Sequence, residues 1–375
     1  MLYLQIETYE LMNNRLKIGI TQGDTNGVGW ELILKILSDN RITELCTPVV
    51  YGSSAAASFY ERTLKEYDKV KFVNTEDVRR VDAGRIYLVE CGPKELSVTP
   101  GKPSKVGGEA AAQALRRAVK DLRSGAIDAL VTAPIDKEMI QSNDFSFTGH
   151  TEFLAHELGG TPLMIMTSEI MRVGLATIHL PVASVSESLN EELIVERLQQ
   201  INTSMVQDFG IVKPHIAVLA LNPHAGDGGL LGSEEAEIIK PAIVKAFEQD
   251  IMAFGPFAAD GFFASGQFKK YDAILAMYHD QGLAPFKTLT PDGVNYTASL
   301  SAVRTSPDHG VAYDIAGQGK ADEQSMRNAI YEALDIVRRR RDWKRWSARP
   351  LEHFEREKGR DISVKDLPQL EEQHD

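Results

Sequence analysis

The sequence predicts an α/β protein built on a mostly parallel sheet. Short apolar runs alternate with longer helical patterns along most of the 375 residues. The runs are rich in β-branched residues and almost continuously apolar, which is typical of strands covered by helices on both faces. A strand followed by a helix, repeated many times, indicates parallel strands joined by helical crossovers. The length suits two domains of about 150 to 200 residues or one large α/β unit.

The individual elements follow from these patterns in chain order. Eight apolar runs are short enough to be strands, and they cover 16–21, 47–52, 85–90, 128–134, 163–168, 172–178, 215–221 and 271–278. Helices are predicted over 107–125 and 191–210, because each pattern closes on a glycine that can form a helix C-cap. A last helical pattern ends in the basic run 338–341. Cations in the final turns complement the helix dipole, so this run indicates a solvated helix end rather than a nucleic-acid patch.

Composition excludes several classes of partner. The formal net charge is -12, with 41 basic and 53 acidic residues, so general affinity for nucleic acid or anionic membranes is not expected. Two cysteines, Cys46 and Cys91, have neither metal-like spacing nor the number needed for a disulfide framework, which fits a reducing cytoplasm. No window approaches the roughly 20 apolar residues of a membrane span. Residues 1–14 are interpreted as an extension before the first strand.

Three histidines follow three predicted strands in the same way. His179 ends "VGLATIH", His224 ends "AVLALNPH" and His279 ends "AILAMYH". Ligands of open parallel sheets bind outside the carboxyl ends of the strands, so these side chains can converge although they are far apart in sequence. Three imidazoles with an open position would make a catalytic site for a divalent metal. The alternative is that each histidine is an ordinary surface or hydrogen-bonded residue, because separations of 45 and 55 residues match no local zinc motif.

Several segments near these histidines could bind an anion. The glycine-rich loop after His224 can offer backbone N–H groups, although it could equally be a flexible connection. His150 and Thr151 start a predicted helix, where the dipole favours a phosphate or carboxylate. After His279 come two cations and an amide that suit a phosphate, at Lys287, Asn295 and Arg304.

The chain resembles the 4-hydroxythreonine-4-phosphate dehydrogenase (PdxA) family of vitamin B6 biosynthesis from about residue 15 to residue 327. The motifs that carry the resemblance are "GDTNGVGWE", "GGEAAAQAL", "DALVTAPIDK", "FTGHTEFLA", "ATIHLPV", "LNPHAGDGG", "GPFAADGFF", "YHDQGLAPFK", "GVNYTASLSAVRTSPDHG" and "AGQGKAD". The resemblance implies a two-lobed α/β/α fold like that of isocitrate and isopropylmalate dehydrogenases. It also implies a homodimer with the active site at the subunit interface, and NAD, with NADP possible, bound without a Rossmann fingerprint.

The family's roles transfer to matching positions of this sequence. The resemblance implies that His179, His224 and His279 bind the metal, which could be Zn, Mg, Co or Mn. It implies that substrate is bound by His150, Thr151, Lys287, Asn295 and Arg304. From the two-lobed plan of the family we expect a discontinuous first lobe, 15–148 plus 296–375, and a second lobe, 149–295, that carries most of the site.

The implied reaction is the NAD-dependent oxidation and decarboxylation of 4-phosphohydroxy-L-threonine to 3-amino-2-oxopropyl phosphate. Proton transfer needs a carboxylate or ammonium nearby, and Asp280 and Asp260 are the candidates, although both could instead orient the metal histidines. The sequence departs from the family pattern at Thr25, Asn26 and Trp30, and again in a second segment at Ala298, Ser299 and Ser301.

The second departure keeps an alternative open, the same chemistry on another phosphorylated hydroxy acid such as threonate or erythronate 4-phosphate. A non-catalytic phospholigand-binding or metal-storage module is a further alternative. Retention of the three histidines and the anion-binding residues disfavours it.

Overall fold

A computed structural model describes residues 15–67, 69–142, 145–147 and 149–350. The extension predicted for residues 1–14 lies outside the described residues, as does the 351–375 end of the predicted first lobe. Twelve strands in the described part of the chain form one sheet in the order β3-β4-β2-β1-β5-β12-β11-β6-β7-β10-β8-β9. The strands are β1 (Lys17–Thr21), β2 (Thr47–Gly52), β3 (Phe72–Asn74), β4 (Ile86–Glu90), β5 (Ala129–Thr132), β6 (Leu163–Thr167), β7 (Arg172–Leu175), β8 (His215–Leu219), β9 (Met252–Phe257), β10 (Ala273–Ala276), β11 (Val294–Ala298) and β12 (Val303–Pro307).

Helices connect these strands. The α-helices in the described residues are α1 (Gly29–Leu37), α2 (Ile42–Leu45), α3 (Ser54–Thr63), α4 (Lys105–Arg123), α5 (His150–Leu158), α6 (Val185–Ser188), α7 (Glu191–Gln207), α8 (Lys240–Phe247), α9 (Ala259–Ala264), α10 (His279–Leu289) and α11 (Gln324–Ser347). Short 3-10 segments cover Lys65–Tyr67, Val78–Arg80, Val182–Ser184, Pro223–Gly229 and Gln267–Lys270, and a π-helical turn covers Glu235–Ile239. None of the helices in the described ranges is both long and apolar enough to cross a membrane.

The predicted α/β class with a mostly parallel sheet is confirmed. All eight predicted strands form, and only the β5, β7, β8 and β10 predictions ran on by two or more residues at the carboxyl end. Among the twelve strands of the described residues, antiparallel pairing occurs only where β11 meets β12, where β11 meets β6, and where β6 meets β7. The remaining pairs are parallel.

Four strands were missed, each for a physical reason. β3 is three residues long and half-exposed to exposed, and β9 is a mostly unburied edge strand interrupted by Gly255 and Pro256. β11 reads "VNYTA" and β12 reads "VRTSP", so their polar side chains hide the apolar pattern that marks a buried strand. These two strands carry Asn295 and Arg304, two of the predicted substrate-binding residues.

The sheet order brings the carboxyl ends of three strands together. β7, β10 and β8 are parallel neighbours in that order, and they are the strands that precede His179, His279 and His224. The three histidines therefore follow three neighbouring strands, and the convergence of their side chains stays a prediction. β12 returns from the C-terminal part of the chain to pair with β5, and β11 spans the boundary predicted between the lobes at 295 and 296. The division into two lobes stays a prediction.

The long helix α11 is joined by hydrogen bonds to β11 and to the C-terminal end of α7. Arg340 Nε donates to Asp208 Oδ1 at 2.5 Å, and Arg340 Nη2 donates to the Tyr296 hydroxyl at 2.8 Å. Tyr296 is fully buried in β11, and its own hydroxyl donates to Asp208 Oδ2 at 2.5 Å. This buried network fixes β11 against α7 and so fixes the strand that carries Asn295.

Candidate active site

A pair of histidines lies at the carboxyl ends of β7 and β10. The His179 and His279 ring centroids are 5.9 Å apart, and both rings line a cavity of about 210 Å³ together with Tyr278. Asp280 Oδ1 lies 2.6 Å from His279 Nδ1, which leaves Nε2 of that ring for another partner. Partial burial lowers the pKa of His179, and the charges of Lys137 and His279 lower it further. A neutral imidazole is the form that binds a metal.

His224 lies in a loop with an unusual backbone. Six consecutive residues, 224–229, have positive φ values, from 44° at Asp227 to 103° at Gly229. Residues other than glycine rarely adopt this conformation, so the surrounding contacts must hold the loop in place. Glu235 is buried and does so, because its Oε1 accepts from the backbone N–H groups of Leu221 and Asn222 at 2.8 and 2.7 Å.

The three predicted metal ligands do not come together within one chain. His179 and His279 are neighbours, whereas His224 is exposed on its loop and does not line their cavity. Among the described residues of one chain, no three His, Cys, Asp or Glu side chains stand in an arrangement that could hold a metal ion. The chain by itself therefore offers two imidazoles at one place and a third imidazole elsewhere.

Arg304 is the centre of a second polar group. Its side chain is 3% exposed, and its hydrogen bonds go only to hydroxyl groups: two to Thr132 Oγ1 at 2.6 and 3.2 Å, and one to Thr297 Oγ1 at 3.0 Å. No carboxylate lies within ion-pair distance of it in the described ranges. Burial lowers the pKa of Arg304 to about 10, although the guanidinium stays charged at neutral pH. Glu152 acts on Arg304 only from beyond ion-pair distance, so this buried cation is a candidate for anion binding.

Two further polar atoms beside this group lack partners. His150 Nε2 and Asn295 Oδ1 are buried and have no hydrogen bond within the described residues. Burial lowers the pKa of His150 well below its usual value, and the charges of Arg304 and Lys137 add to the effect, so its ring is neutral and close to both cations. Thr151 follows in the first turn of α5 and is half-buried. The charge of Arg304 therefore acts on His150 at the start of α5, while the role of both residues in binding substrate stays a prediction.

The remaining predicted residues have other partners or none. Lys287 Nζ lies 2.8 Å from Asp308 Oδ1 and also donates to the Asp308 carbonyl at 3.0 Å. Asp280 is 80% exposed and bonded to His279, which fits orienting that ring. Asp260 is exposed in α9 and makes no hydrogen bond or ion pair in the described part of the chain. A role for either aspartate in proton transfer stays a prediction.

The altered N-terminal segment is well anchored. The side chain of Asn26 donates to the Lys102 carbonyl at 2.8 Å and accepts from Thr99 N at 2.8 Å. Trp30 is fully buried, and its indole N–H donates to Gln22 at 3.0 Å. These contacts hold the loop in a defined geometry.

The altered C-terminal segment contacts the far end of the substrate-binding helix. Ser301 Oγ donates to the Leu158 carbonyl at 2.8 Å, and Leu158 is the last residue of α5. Ser299 has a φ of 63°, a conformation that non-glycine residues rarely adopt. The change therefore lies at the opposite end of α5 from His150 and leaves the hydroxyl partners of Arg304 in place.

Sequence reasoning missed Lys137, Glu152, Glu235 and Asp308. Burial raises the pKa of Asp308, and the charge of Lys287 lowers it. The charge of Lys137 lowers the pKa of His179, and the charge of Glu152 raises it. Lys137 ends the motif "DALVTAPIDK" and Glu152 lies two residues after His150, so their positions after a strand and in a helix start were the available signals. Glu235 gave no local signal, because its role depends on a loop that is distorted only in the fold.

Comparison with known proteins gives a consistent result. The family model described as "Pyridoxal phosphate biosynthetic protein PdxA" matches residues 44–333. The chain is 51% identical over 343 residues to the 4-hydroxythreonine-4-phosphate dehydrogenase of Bacteroides thetaiotaomicron, covering 90% of this chain and 93% of that protein. It is 41% identical to the protein of the same name from Prosthecochloris aestuarii, covering 84% and 96%.

Solved structures agree. A crystal structure of 4-hydroxythreonine-4-phosphate dehydrogenase from Klebsiella pneumoniae superposes with a TM-score of 0.76 at 32% identity, covering 87% of this chain and 99% of that one. A structure named terephthalate 1,2-cis-dihydrodiol dehydrogenase, from Burkholderia xenovorans, has a TM-score of 0.57 at 24% identity, covering 85% and 98%, and shares the fold.

Proposed function

The chain belongs to the pyridoxal phosphate biosynthetic protein PdxA family, and from that premise we propose that it oxidises and decarboxylates 4-phosphohydroxy-L-threonine with NAD, giving 3-amino-2-oxopropyl phosphate. The observation that carries the proposal is the anion site around Arg304. A buried guanidinium has only hydroxyl partners, and two buried polar atoms beside it, His150 Nε2 and Asn295 Oδ1, have none in the described residues. These three side chains are suited to bind a charged ligand that has both oxygen acceptors and a hydrogen-bond donor.

The phosphate is the group that suits this site best. Arg304 can donate charge-assisted hydrogen bonds to its oxygens, and the N-terminal turn of α5 adds free backbone N–H groups at His150 and Thr151. Lys287 lies further along α10 and pairs with Asp308. Its ammonium can turn from that carboxylate to the substrate. Anchoring the phosphate fixes the carbon that carries the substrate hydroxyl, and this positioning accounts for part of the rate enhancement.

The histidines suit a divalent metal at the other end of the substrate. His179 and His279 would hold it, with the Asp280 carboxylate orienting the His279 ring through Nδ1. When bound, a divalent metal would act as a Lewis acid on the substrate hydroxyl. NAD, with NADP as the alternative, would accept the hydride, and we assign no residues to it.

We propose that His224 of the partner subunit completes this metal site in a homodimer. Within one chain His224 lies apart from the His179 and His279 pair, so a second copy is the source of the third ligand. Exposed apolar side chains flank both places: Leu180 (44% exposed) and Val182 (76%) beside His179, and Leu230 (79%) and Leu231 (43%) after His224. A two-fold interface would cover both patches and build two equivalent sites.

The chain's own residues prepare the reaction in defined ways. Arg304 and His150 bind and orient the phosphate end, while Asp280 keeps the His279 ring in one orientation. The neutral state of His179 and His150 leaves their nitrogens available for binding at neutral pH. The free, buried Cys46 and Cys91 support a cytoplasmic location, because no disulfide is needed for stability. The two-lobed division of the chain, with the site between the lobes, is also part of this proposal.

A second substrate class is favoured by one observation. The segment with Ala298, Ser299 and Ser301 differs from the family pattern and packs on the last residue of α5, whose first turn holds His150. A small displacement of α5 would change which hydroxy acid fits, so threonate 4-phosphate or erythronate 4-phosphate is the alternative substrate.

The deciding experiment is turnover by the purified protein. NADH and CO2 are followed with each of the three phosphorylated acids, with NAD and NADP, and with a series of Zn, Mg, Co and Mn after chelation. We expect 4-phosphohydroxy-L-threonine to give the highest kcat/KM with NAD and a divalent metal. If only another of the three acids supports nicotinamide reduction, that acid replaces 4-phosphohydroxy-L-threonine as the substrate. If no acid supports it, the dehydrogenase activity is refuted.

A further inference from the structure

Three short segments carry the candidate metal-binding histidines away from the ends of β7, β10 and β8. The residues that join these segments to one another lie two, two and four positions before the histidines, and they are Thr177, Met277 and Ala220. A chain of two to four residues spans at most roughly 7 to 14 Å. The spacing of these three residues therefore limits where the histidines that follow them can lie.

Thr177 joins the segment of His179 to the segment of His279. Its hydroxyl donates to the Met277 carbonyl at 2.7 Å, and its backbone N–H donates to the same carbonyl at 3.2 Å. Thr177 is 6% exposed, so water competes little for these bonds. One carbonyl thus accepts two hydrogen bonds from one residue, which holds the two segments close together. The two rings that follow have centroids 5.9 Å apart.

Gln281, in the first turn of α10, connects the ends of β10 and β8. Its Oε1 accepts from the Met277 backbone N–H at 2.7 Å, and its Nε2 donates to the Ala220 carbonyl at 2.6 Å. Met277 and Ala220 are opposite each other when the parallel register of β10 and β8 is continued past the strands. A carboxamide with two hydrogen bonds spans a longer distance than the single bond that joins neighbouring strands. The two segments are therefore held further apart here than within the sheet.

The two contacts act on opposite sides of the same backbone segment. On one side, the Thr177 hydroxyl keeps the segment from β7 close to the segment from β10. On the other side, the Gln281 carboxamide separates the segment from β8. This difference matches the positions of the histidines, because His179 and His279 line one cavity whereas His224 lies apart on its loop.

We propose that Thr177 and Gln281 are positioning residues of the candidate metal site. Thr177 sets the spacing of the two imidazoles that one chain supplies. Gln281 sets the course of the chain that leads from β8 to His224, and so the direction in which that imidazole is presented to the partner subunit. Both side chains act through the backbone that precedes the histidines. The inference rests on the proposed function, because the metal and the homodimer are part of that proposal.

The test measures the metal affinity of the metal-free protein, separately from its activity. Thr177→Val removes the hydroxyl and keeps nearly the same shape, so we expect it to bind Co²⁺ about 10-fold more weakly or worse, the usual effect of losing a group that orients metal ligands. Thr177→Ser keeps the hydroxyl and should bind Co²⁺ as the unaltered protein does. Gln281→Met should also weaken Co²⁺ binding about 10-fold or more, because the bridge between Met277 and Ala220 is lost. In both weakened variants the absorption spectrum of bound Co²⁺ should change.

Thr290→Val is the matched control for the loss of a buried hydroxyl. The Thr290 hydroxyl donates to the Phe286 carbonyl at 2.7 Å, the backbone N–H of Thr290 donates to the same carbonyl at 2.8 Å, and the residue is 5% exposed. This arrangement repeats that of Thr177, but it lies at the opposite end of α10 from His279. Thr290→Val should therefore lower the melting temperature about as much as Thr177→Val and leave Co²⁺ affinity unchanged.

Each outcome decides the inference. Unchanged Co²⁺ affinity in Thr177→Val or Gln281→Met would overturn the role of that residue, and equal weakening by Thr290→Val would reduce the effect to lost stability and overturn both. If Gln281→Met does not fold, Gln281→Glu takes its place, because it keeps the acceptor for Met277 but sets a carboxylate oxygen against the Ala220 carbonyl.

The unaltered protein reports separately on the proposed function. If it produces NADH and binds Co²⁺ while the variants bind the metal equally well, only the positioning roles fail. If the unaltered protein does not bind Co²⁺, the proposed metal site fails and the positioning roles fail with it.

Discussion

Replacing Arg304 by methionine tests whether the fold maintains a buried charge for the sake of substrate binding. Burial lowers the pKa of Arg304 from its ordinary 12.5 to about 10, which corresponds to a cost of about 3 kcal/mol for keeping the cation inside the protein. Its hydrogen bonds go to two acceptor hydroxyls, those of Thr132 and Thr297, and return about 1.5 kcal/mol for each acceptor, the lower end for bonds to a charged group. Because these two contributions nearly cancel, Arg304→Met should leave the free energy of unfolding within about 1 kcal/mol of its original value.

The effect on activity should be much larger. Two charge-assisted hydrogen bonds to the substrate phosphate are worth about 3 to 6 kcal/mol together, so kcat/KM on the phosphorylated substrate should fall about 100-fold or more. Activity on unphosphorylated 4-hydroxythreonine, already low without the phosphate, should change far less. Inorganic phosphate should raise the melting temperature of the unaltered protein and should not raise that of the variant.

The assay compares kcat/KM on both substrates with thermal denaturation in the presence and absence of phosphate. Arg338→Met is the control, because Arg338 is 52% exposed and pairs only with the half-exposed Asp335. It should alter neither measurement. Equal loss of activity on the two substrates, or a melting temperature lowered by many degrees, would show that Arg304 serves the fold rather than the phosphate.

Three other predictions follow from the site. The pKa of His150 lies well below its usual value in the folded protein, so the unfolded chain takes up a proton below about pH 6.5 that the folded chain does not, and stability falls as pH is lowered through that value. His150→Gln should remove this dependence. In denaturant titrations, the unfolding free energy of the variant relative to that of the unaltered protein should rise by about 1 kcal/mol from pH 7.5 to pH 5.5. A difference that stays constant between these pH values would contradict the prediction. Glu235→Ala leaves two backbone N–H groups without an acceptor, so it should cost about 2 kcal/mol or more and weaken Co²⁺ binding, measured by absorption, about 10-fold or more. His179→Ala should abolish stoichiometric metal binding while the unfolding free energy changes by less than about 1 kcal/mol, because the ring is exposed; retained stoichiometric binding would place the metal elsewhere.

The sequence predicted those strands in which burial alone determines the residue types. It did not predict strands in which candidate functional residues interrupt the apolar pattern. The eight apolar runs form strands because a strand covered on both faces needs little else. β11 and β12 are equally internal, yet Asn295, Thr297 and Arg304 interrupt their apolar pattern. These side chains belong to the proposed anion site, so the requirements of such a site would explain why the strands that carry it are obscured in the sequence.

The histidines show a different limit. Their shared position after a strand was visible in the sequence, and the neighbouring order of β7, β10 and β8 explains why all three emerge together. The separation of His224 from His179 and His279 could not be foreseen, because His224 lies in a turn of six residues with positive φ that Glu235 holds from 11 positions away along the chain.

Two of the seven buried polar side-chain atoms that lack a partner in the described residues lie where the substrate would bind, and this has an energetic meaning. His150 Nε2, Asn295 Oδ1 and the charge of Arg304 all lack full compensation in the described structure, and each lowers stability in the absence of ligand. None of them could reorganise easily, since Arg304 is fixed by two threonine hydroxyls, β11 by the buried Tyr296 network and His150 by the start of α5. An arriving phosphate therefore meets groups that are already desolvated and already oriented. Folding has already supplied the free energy needed to desolvate and orient these groups, so binding does not have to supply it. A rigid anion site can in this way position a small substrate for reaction.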